Sequence, residues 1–212
     1  SGHGSVTSSG ASRSGVAAGA PARAAMEAQA MANAVIPHDA SGATMLVDFG
    51  KTRTGIGIAY KGILLYTSTI DIGGNELSVA LRKELGADVP ESELTKIKNS
   101  QGLVRSVDST VVRDALLSTV SVIKDDLVTR MQYWHMRDTN SDARRITSVV
   151  LCGGSANLKG LPNYMTESLG VPCMRGNVWE NAFSLEETVP PIDRRHSFGY
   201  ATAIGLALKQ MI

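Results

Sequence analysis

Thr44-Met-Leu-Val-Asp-Phe-Gly-Lys-Thr-Arg-Thr-Gly-Ile-Gly-Ile-Ala59 is the stretch around which the rest of the chain is organised. An apolar run ends in Asp48, a glycine-bearing turn follows, and an alternating run starts at Thr54. The first reads as a strand buried on both faces and the second as its hairpin partner. A strand that stops at such a turn brings one carboxylate and several free backbone N–H groups to one point, a candidate cradle for phosphate or metal-bound phosphate. A plain hairpin with an acid at its tip fits the same residues, so the flanking elements must decide.

Toward the C-terminus, Lys61-Gly62 makes a two-residue turn, and residues 63–70 are rich in strand formers. Together these predict an antiparallel three-strand meander. Asp71-Ile-Gly-Gly74 breaks it, and Asn75 is placed to cap a helix running to about Leu85. Residues 86–107, with part of the following helix, read as a small helical insertion: Pro90-Glu-Ser-Glu-Leu94 puts acids at a helix start, and Lys96 and Lys98 follow near its end. Next, Val112, Leu116, Val120, Ile123, Leu127, Met131 and Trp134 recur at helical spacing, with Asp108 or Ser109 as cap. That stripe is packing surface. Arg137 to Arg145 is a polar loop, and Ile146-Thr-Ser-Val-Val-Leu-Cys152 is a second buried strand running into Gly153-Gly154-Ser155. A helix over 161–169, a strand near Val171–Arg175 and an irregular stretch 176–195 precede a last helix capped by Ser197. Phe198, Ala201, Ile204 and Leu208 fall on one side of that helix, and Gly199, Ala203 and Ala207 on another.

Toward the N-terminus, Pro37 to Gly42 is a loop in which His38 reads as a turn residue. Residues 21–36 are alanine-rich and helical, with Pro21 suited to a first turn. Residues 1–20 read as a flexible lead or an expression-derived segment, leaving 21–212 as one folded unit.

Composition excludes several classes. Lys and Arg number 21 against 20 Asp and Glu, and aromatics are 5%, so no field or stacking surface argues for nucleic acid. Cys152 and Cys173 lack metal-ligand spacing, and Cys152 reads as a buried free thiol suited to a reducing cytoplasm. No apolar run approaches the roughly 20 residues of a membrane span. The chain has no Gly-x-x-x-x-Gly-Lys-Ser/Thr loop, no Gly-x-Ser-x-Gly elbow and no paired histidines, and Asp48-Phe-Gly50 lacks the other kinase motifs.

Two loops share one character: Asp48-Phe-Gly-Lys-Thr-Arg-Thr54 and Cys152-Gly-Gly-Ser-Ala-Asn-Leu-Lys-Gly160. Each leaves a buried strand, and ligands of open α/β sheets bind at the carboxyl ends of strands. Glycine at 153 and 154 would let backbone lie against a purine ring. Asp48 would hold the water shell of Mg²⁺, the amides of 50–52 would face phosphate, and Lys51 and Arg53 would add charge. A tight strand-to-helix turn without a ligand explains Gly153-Gly154 as well.

The order of elements resembles the second lobe of the actin-like ATPase superfamily, a ribonuclease H-like α/β fold. Within it, Gly62-Ile-Leu-Leu-Tyr-Thr-Ser-Thr-Ile-Asp-Ile-Gly-Gly-Asn75 and Ile146-Thr-Ser-Val-Val-Leu-Cys-Gly-Gly-Ser-Ala-Asn-Leu-Lys-Gly-Leu-Pro162 resemble the PilM-type type IV pilus assembly proteins, bacterial relatives of FtsA. The resemblance covers about residues 24–210. It implies a mixed sheet in which the antiparallel meander is followed by parallel strands, with helices on the faces. It implies that Asp48, Gly50, Lys51 and Thr52 form a phosphate loop binding ATP and Mg, with Asp48 toward the metal. Gly153, Gly154 and Ser155 would form the adenosine loop, and helices 24–35 and 197–208 the interdomain connectors. It also implies a cytoplasmic scaffold, peripheral to the inner membrane through the cytoplasmic tail of a single-pass pilus protein. Self-association stays open.

Two departures bear on function. The family's first lobe, with the other phosphate loop and the groove for the partner's tail, normally precedes these residues. Arg53 and Gly55 also stand where ATPase members often carry Thr and Asp. The expectation is weak or absent nucleotide binding and no useful hydrolysis by this chain alone. The alternative is a sugar- or acid-kinase-like phosphotransferase, for which Asp71 is the only further acid available as a base.

Overall fold

The computed structural model describes residues 20–105, 110–137, 144–184 and 186–209. The lead over 1–19, the caps proposed at Asp108 or Ser109 and most of the loop after Arg137 lie outside them. β1 (Ala43–Phe49), β2 (Thr54–Tyr60) and β3 (Ile63–Ile70) form the antiparallel meander. β4 (Ile146–Cys152) pairs in parallel with β1, and β5 (Cys173–Arg175) in parallel with β4. The order β3-β2-β1-β4-β5 makes β1 the centre of a mixed sheet. Met45, Leu46, Val47 and Phe49 are all buried, as the unbroken apolar run requires. Lys61 and Gly62 adopt φ of 49° and 76°, the two positive values of the hairpin turn that matches strand twist.

The described residues form seven α-helices: α1 (Ala20–Val35), α2 (Gly74–Leu85), α3 (Glu91–Ser100), α4 (Thr110–Arg137), α5 (Leu161–Leu169), α6 (Arg194–Ser197) and α7 (Ala201–Lys209). α4 lies on one face, where Tyr133 meets Tyr66 and Arg130 Nε donates to Ser68 Oγ at 2.9 Å. All seven residues of its apolar stripe are buried, at roughly 1.5–3 kcal/mol for each large side chain removed from water. α1 and α7 pair on the opposite face. The Gln29 amide of α1 covers the open edge of the hairpin, donating to Gly62 O at 2.9 Å and accepting from Leu64 N–H at 2.8 Å. Exposed edge groups otherwise invite foreign strands. No described helix is long and apolar enough to cross a membrane.

Two local expectations are corrected. Asn75 does not cap α2. Gly73 holds that position and its N–H donates to Glu76 Oε2 at 2.7 Å, while the Asn75 amide donates to Lys51 O at 2.8 Å. Glycine is required because a Cβ at 73 would lie 2.6 Å from Lys51 O. The final helical segment starts earlier than Ser197: Asp193 accepts from the amides of Arg195 and His196 at 2.9 and 3.1 Å and caps α6. A 3-10 turn, Phe198–Tyr200, then leads into α7. The Gly199/Ala203/Ala207 face is exposed, and Gly205 meets α1 at Ala30.

Candidate functional site

The carboxyl ends of β1 and β4 lie side by side, Asp48 being the strand partner of Cys152. The turns that leave them meet the start of α2. The Gly50 carbonyl accepts from Gly74 N–H at 2.9 Å and from Ser155 Oγ at 3.2 Å, tying three segments at one oxygen. Beside this junction lies a cavity of about 350 Å³, lined by Lys51, Gly74, Asn75, Glu91, Thr95, Lys98, Gly154 and Ser155, with Leu77 and Leu158 as apolar surface.

Of the residues expected from sequence, Lys51, Gly154 and Ser155 line this cavity, whereas Asp48, Gly50, Thr52 and Gly153 do not. Gly50 shapes the turn. Its amide donates to Arg53 O at 3.1 Å and also lies 3.0 Å from Asp48 O, so it is not free for a phosphate as expected. The amides of Lys51 and Thr52 have no hydrogen-bond partner among the described residues, and both residues are exposed. The two glycines after β4 divide their work. Gly153, at φ 82°, packs so closely on β1 that a Cβ would lie 2.5 Å from Phe49 O and 2.6 Å from Asp48 Oδ1. Gly154 has no atom within 4 Å of a Cβ and faces open space. The strand-turn explanation therefore suffices for Gly153, and the open surface belongs to Gly154.

Asp48 is partly buried. Burial, and then the charge of Glu27 on α1, raise its carboxyl above the ordinary range, with Arg53 opposing. Cys152 is a free buried thiol, raised first by burial and then by Asp48. Among the described residues no three His, Cys, Asp or Glu side chains gather to hold a metal. A cation at Asp48 would thus arrive with a ligand's phosphates. Asp71 is exposed and outside the cavity lining.

The sequence reading missed much of the opposite wall. Lys98 Nζ donates to Ser78 Oγ at 2.9 Å and contacts Glu91 Oε1 at 3.2 Å. Ser78 Oγ donates to Glu91 Oε1 at 2.6 Å, and Arg82 Nη2 reaches Glu91 Oε2 at 2.9 Å. Burial pushes Glu91 up, but hydrogen bonds from Ser78 and Lys98, the Lys98 charge and the Arg82 hydrogen bond hold it below the ordinary range. This network joins α2 to α3. Its bonded members sit 7 to 20 residues apart on two helices whose packing the chain order does not reveal, and only the acid-rich start of α3 hinted at them. Glu27 was missed for the same reason.

The chemistry of a nucleoside phosphate fits these residues: the cavity is lined by Lys51, by the open Gly154 and by the apolar Leu77 and Leu158, and the exposed 51–52 turn with its two unpartnered amides adjoins it at Lys51. Were such a ligand bound, it would bring a triphosphate and its cation, and Lys51 would be the residue to hold phosphate and Gly154-Ser155 the nucleoside.

The family model described as type IV pilus assembly protein PilM matches residues 21–211. The chain belongs to the PilM family. Similar solved structures include a chain of the PilM-PilN type IV pilus biogenesis complex, at 17% identity and TM-score 0.64, over 90% of this chain and 52% of that one. MreB5 of Spiroplasma citri bound to ADP matches at 15% identity and TM-score 0.60, over 89% of this chain and 58% of that one. The archaeal actin homolog Ta0583 matches at 16% identity and TM-score 0.57, over 90% of this chain and 54% of that one. These likenesses establish an actin-like fold, as the mixed sheet required. This PilM-family chain spans about half the length of the structures it matches.

Proposed function

We propose that this PilM-family chain is one nucleotide-binding lobe of a scaffold for a type IV pilus assembly platform. The reading rests on one observation, the cavity that gathers Lys51, Gly154 and Ser155 at the carboxyl ends of β1 and β4. ATP with Mg²⁺ is its ligand, and this lobe supplies one jaw: Lys51 and the 51–52 amides toward phosphate, Asp48 toward the hydrated cation, Gly154 and Ser155 toward the nucleoside. Arg53 and Gly55 leave Asp48 without a second acid on the hairpin, so the lobe binds weakly and does not turn over ATP. The partner is the cytoplasmic tail of a single-pass inner-membrane pilus protein, held with the help of a second lobe. The protein is accordingly cytoplasmic and peripheral to that membrane. The PilM-PilN title of one similar structure supports a partner of this kind.

Titration calorimetry with Mg·ATP tests the site. Weak binding without product is expected, and micromolar affinity for this chain alone would overturn the half-site reading. Co-purification tests the scaffold: capture of the pilus-protein tail by residues 21–212 without a second lobe would contradict it.

A further inference from the structure

We infer that Arg175 and Arg194 are positioning residues for the cavity, Arg175 holding the Gly154–Asn157 wall and Arg194 linking that wall to α7. Only the choice of ligand in the test rests on the nucleotide reading.

Arg175 ends β5 and sends its guanidinium across the mouth of the neighbouring turn. Its Nε donates to Ala156 O at 2.9 Å, and Nη2 reaches Leu158 O at 3.2 Å and Asn157 O at 3.4 Å. Carbonyls at the end of a helical turn commonly lack internal donors; of the three, Leu158 O also accepts from Leu161 N–H at 3.2 Å. One planar, five-donor group can serve three of them, which a lysine ammonium cannot do from one fixed geometry. Gly154, Ser155 and Leu158 line the cavity, so the clamp acts on the ligand-facing wall.

The link continues outward. Arg194 Nη2 donates to Arg175 O at 2.6 Å and its Nε to Gly176 O at 3.4 Å. Asn157 Nδ2 donates to Arg195 O at 3.2 Å. α6 is therefore bonded both to the wall and to the residue clamping it, and it leads through one 3-10 turn into α7. Salt bridging does not explain the cluster. Asp193, its nearby carboxylate, is engaged with His196 and the α6 amides. Burial, then Arg195 and Arg194, lower Arg175 below its ordinary value, so the like charges are held together against repulsion by backbone carbonyls.

The test uses the full chain with Arg175→Met, Arg175→Lys and Arg194→Gln, comparing Mg·ATP with inorganic tripolyphosphate by calorimetry and following amide hydrogen exchange. Arg175→Met is expected to lose about tenfold in ATP affinity, the effect of ~1.4 kcal/mol, with tripolyphosphate affinity unchanged and no rescue by Arg175→Lys. Parallel losses for both ligands, or none, would overturn the inference. Arg194→Gln, at an exposed site, is expected to speed exchange at 154–158 and at the start of α7. Faster exchange confined to 194–197 would overturn the link, and this readout decides even if the wild type binds neither ligand. That last result would defeat the nucleotide reading separately. If Arg175→Met does not fold, Arg175→Lys and Arg194→Gln carry the test.

Discussion

Gly205 of α7 lies so close to Ala30 of α1 that a Cβ on it would sit 1.6 Å from the Ala30 carbonyl oxygen. The obstacle is backbone, so no side-chain rotation relieves it. Gly205→Ala must push the two helices apart, and overpacking of this kind costs about 1–3 kcal/mol. A melting temperature lower by several degrees is expected by calorimetry, at about 2–4 °C per kcal/mol for a chain of this size. Gly199→Ala, with nothing within 4 Å, is the matched control and should leave Tm nearly unchanged. Equal behaviour of the two variants would refute the helix contact.

Gly73 provides a second close approach, with direct bearing on the cavity. A Cβ there would lie 2.6 Å from Lys51 O and 2.7 Å from Arg53 N. Gly73→Ala should displace the 50–53 turn and pull Lys51 away from the cavity. Tripolyphosphate affinity is expected to fall about tenfold, the effect of ~1.4 kcal/mol. An unchanged affinity in a folded variant would remove this turn from the site.

Asp48 predicts a conflict between stability and binding. Its carboxyl is raised by burial and by Glu27, so the folded state disfavours the ionised form. Asp48→Asn relieves that cost at neutral pH and should raise Tm by a few degrees, as ~1 kcal/mol does here. The gain should vanish as pH falls below the ordinary carboxylate range, where the unfolded chain is protonated too. The same variant should lose any Mg²⁺ dependence of ligand binding. A lower Tm at neutral pH would show that the charge is stabilising.

Glu91 behaves in the opposite sense. Its carboxyl is lowered in the fold, so its contribution is complete above the unfolded value of about 4.3 and is lost as pH falls toward the folded one. Urea unfolding between neutral pH and acid should show a loss of stability in that acid range, reduced in Glu91→Gln. Parallel curves for wild type and variant would mean that the Ser78–Glu91–Lys98 network adds nothing to stability.

Much of this protein is local enough to read from the chain. β1 and β4 are continuous apolar runs, Lys61-Gly62 is a turn whose chemistry permits two positive φ values, and the α4 stripe keeps helical period over its whole length. Each of these depends on neighbours within one or two turns, so the sequence alone determined the sheet's composition, the helix order and the two loops at its carboxyl edge. The tertiary structure decided which loop residues face a ligand. Gly153 and Gly154 are identical letters, yet one is pressed against Phe49 and Asp48 and the other is open. Glu27, Ser78, Lys98 and Arg175 matter through partners that chain order does not reveal. The small residue that seats α7 on α1 is Gly205, whose approach to Ala30 exists only once the two helices have packed. Period and turn chemistry are carried by adjacent residues, whereas close approach and shared charge exist only after distant segments have packed.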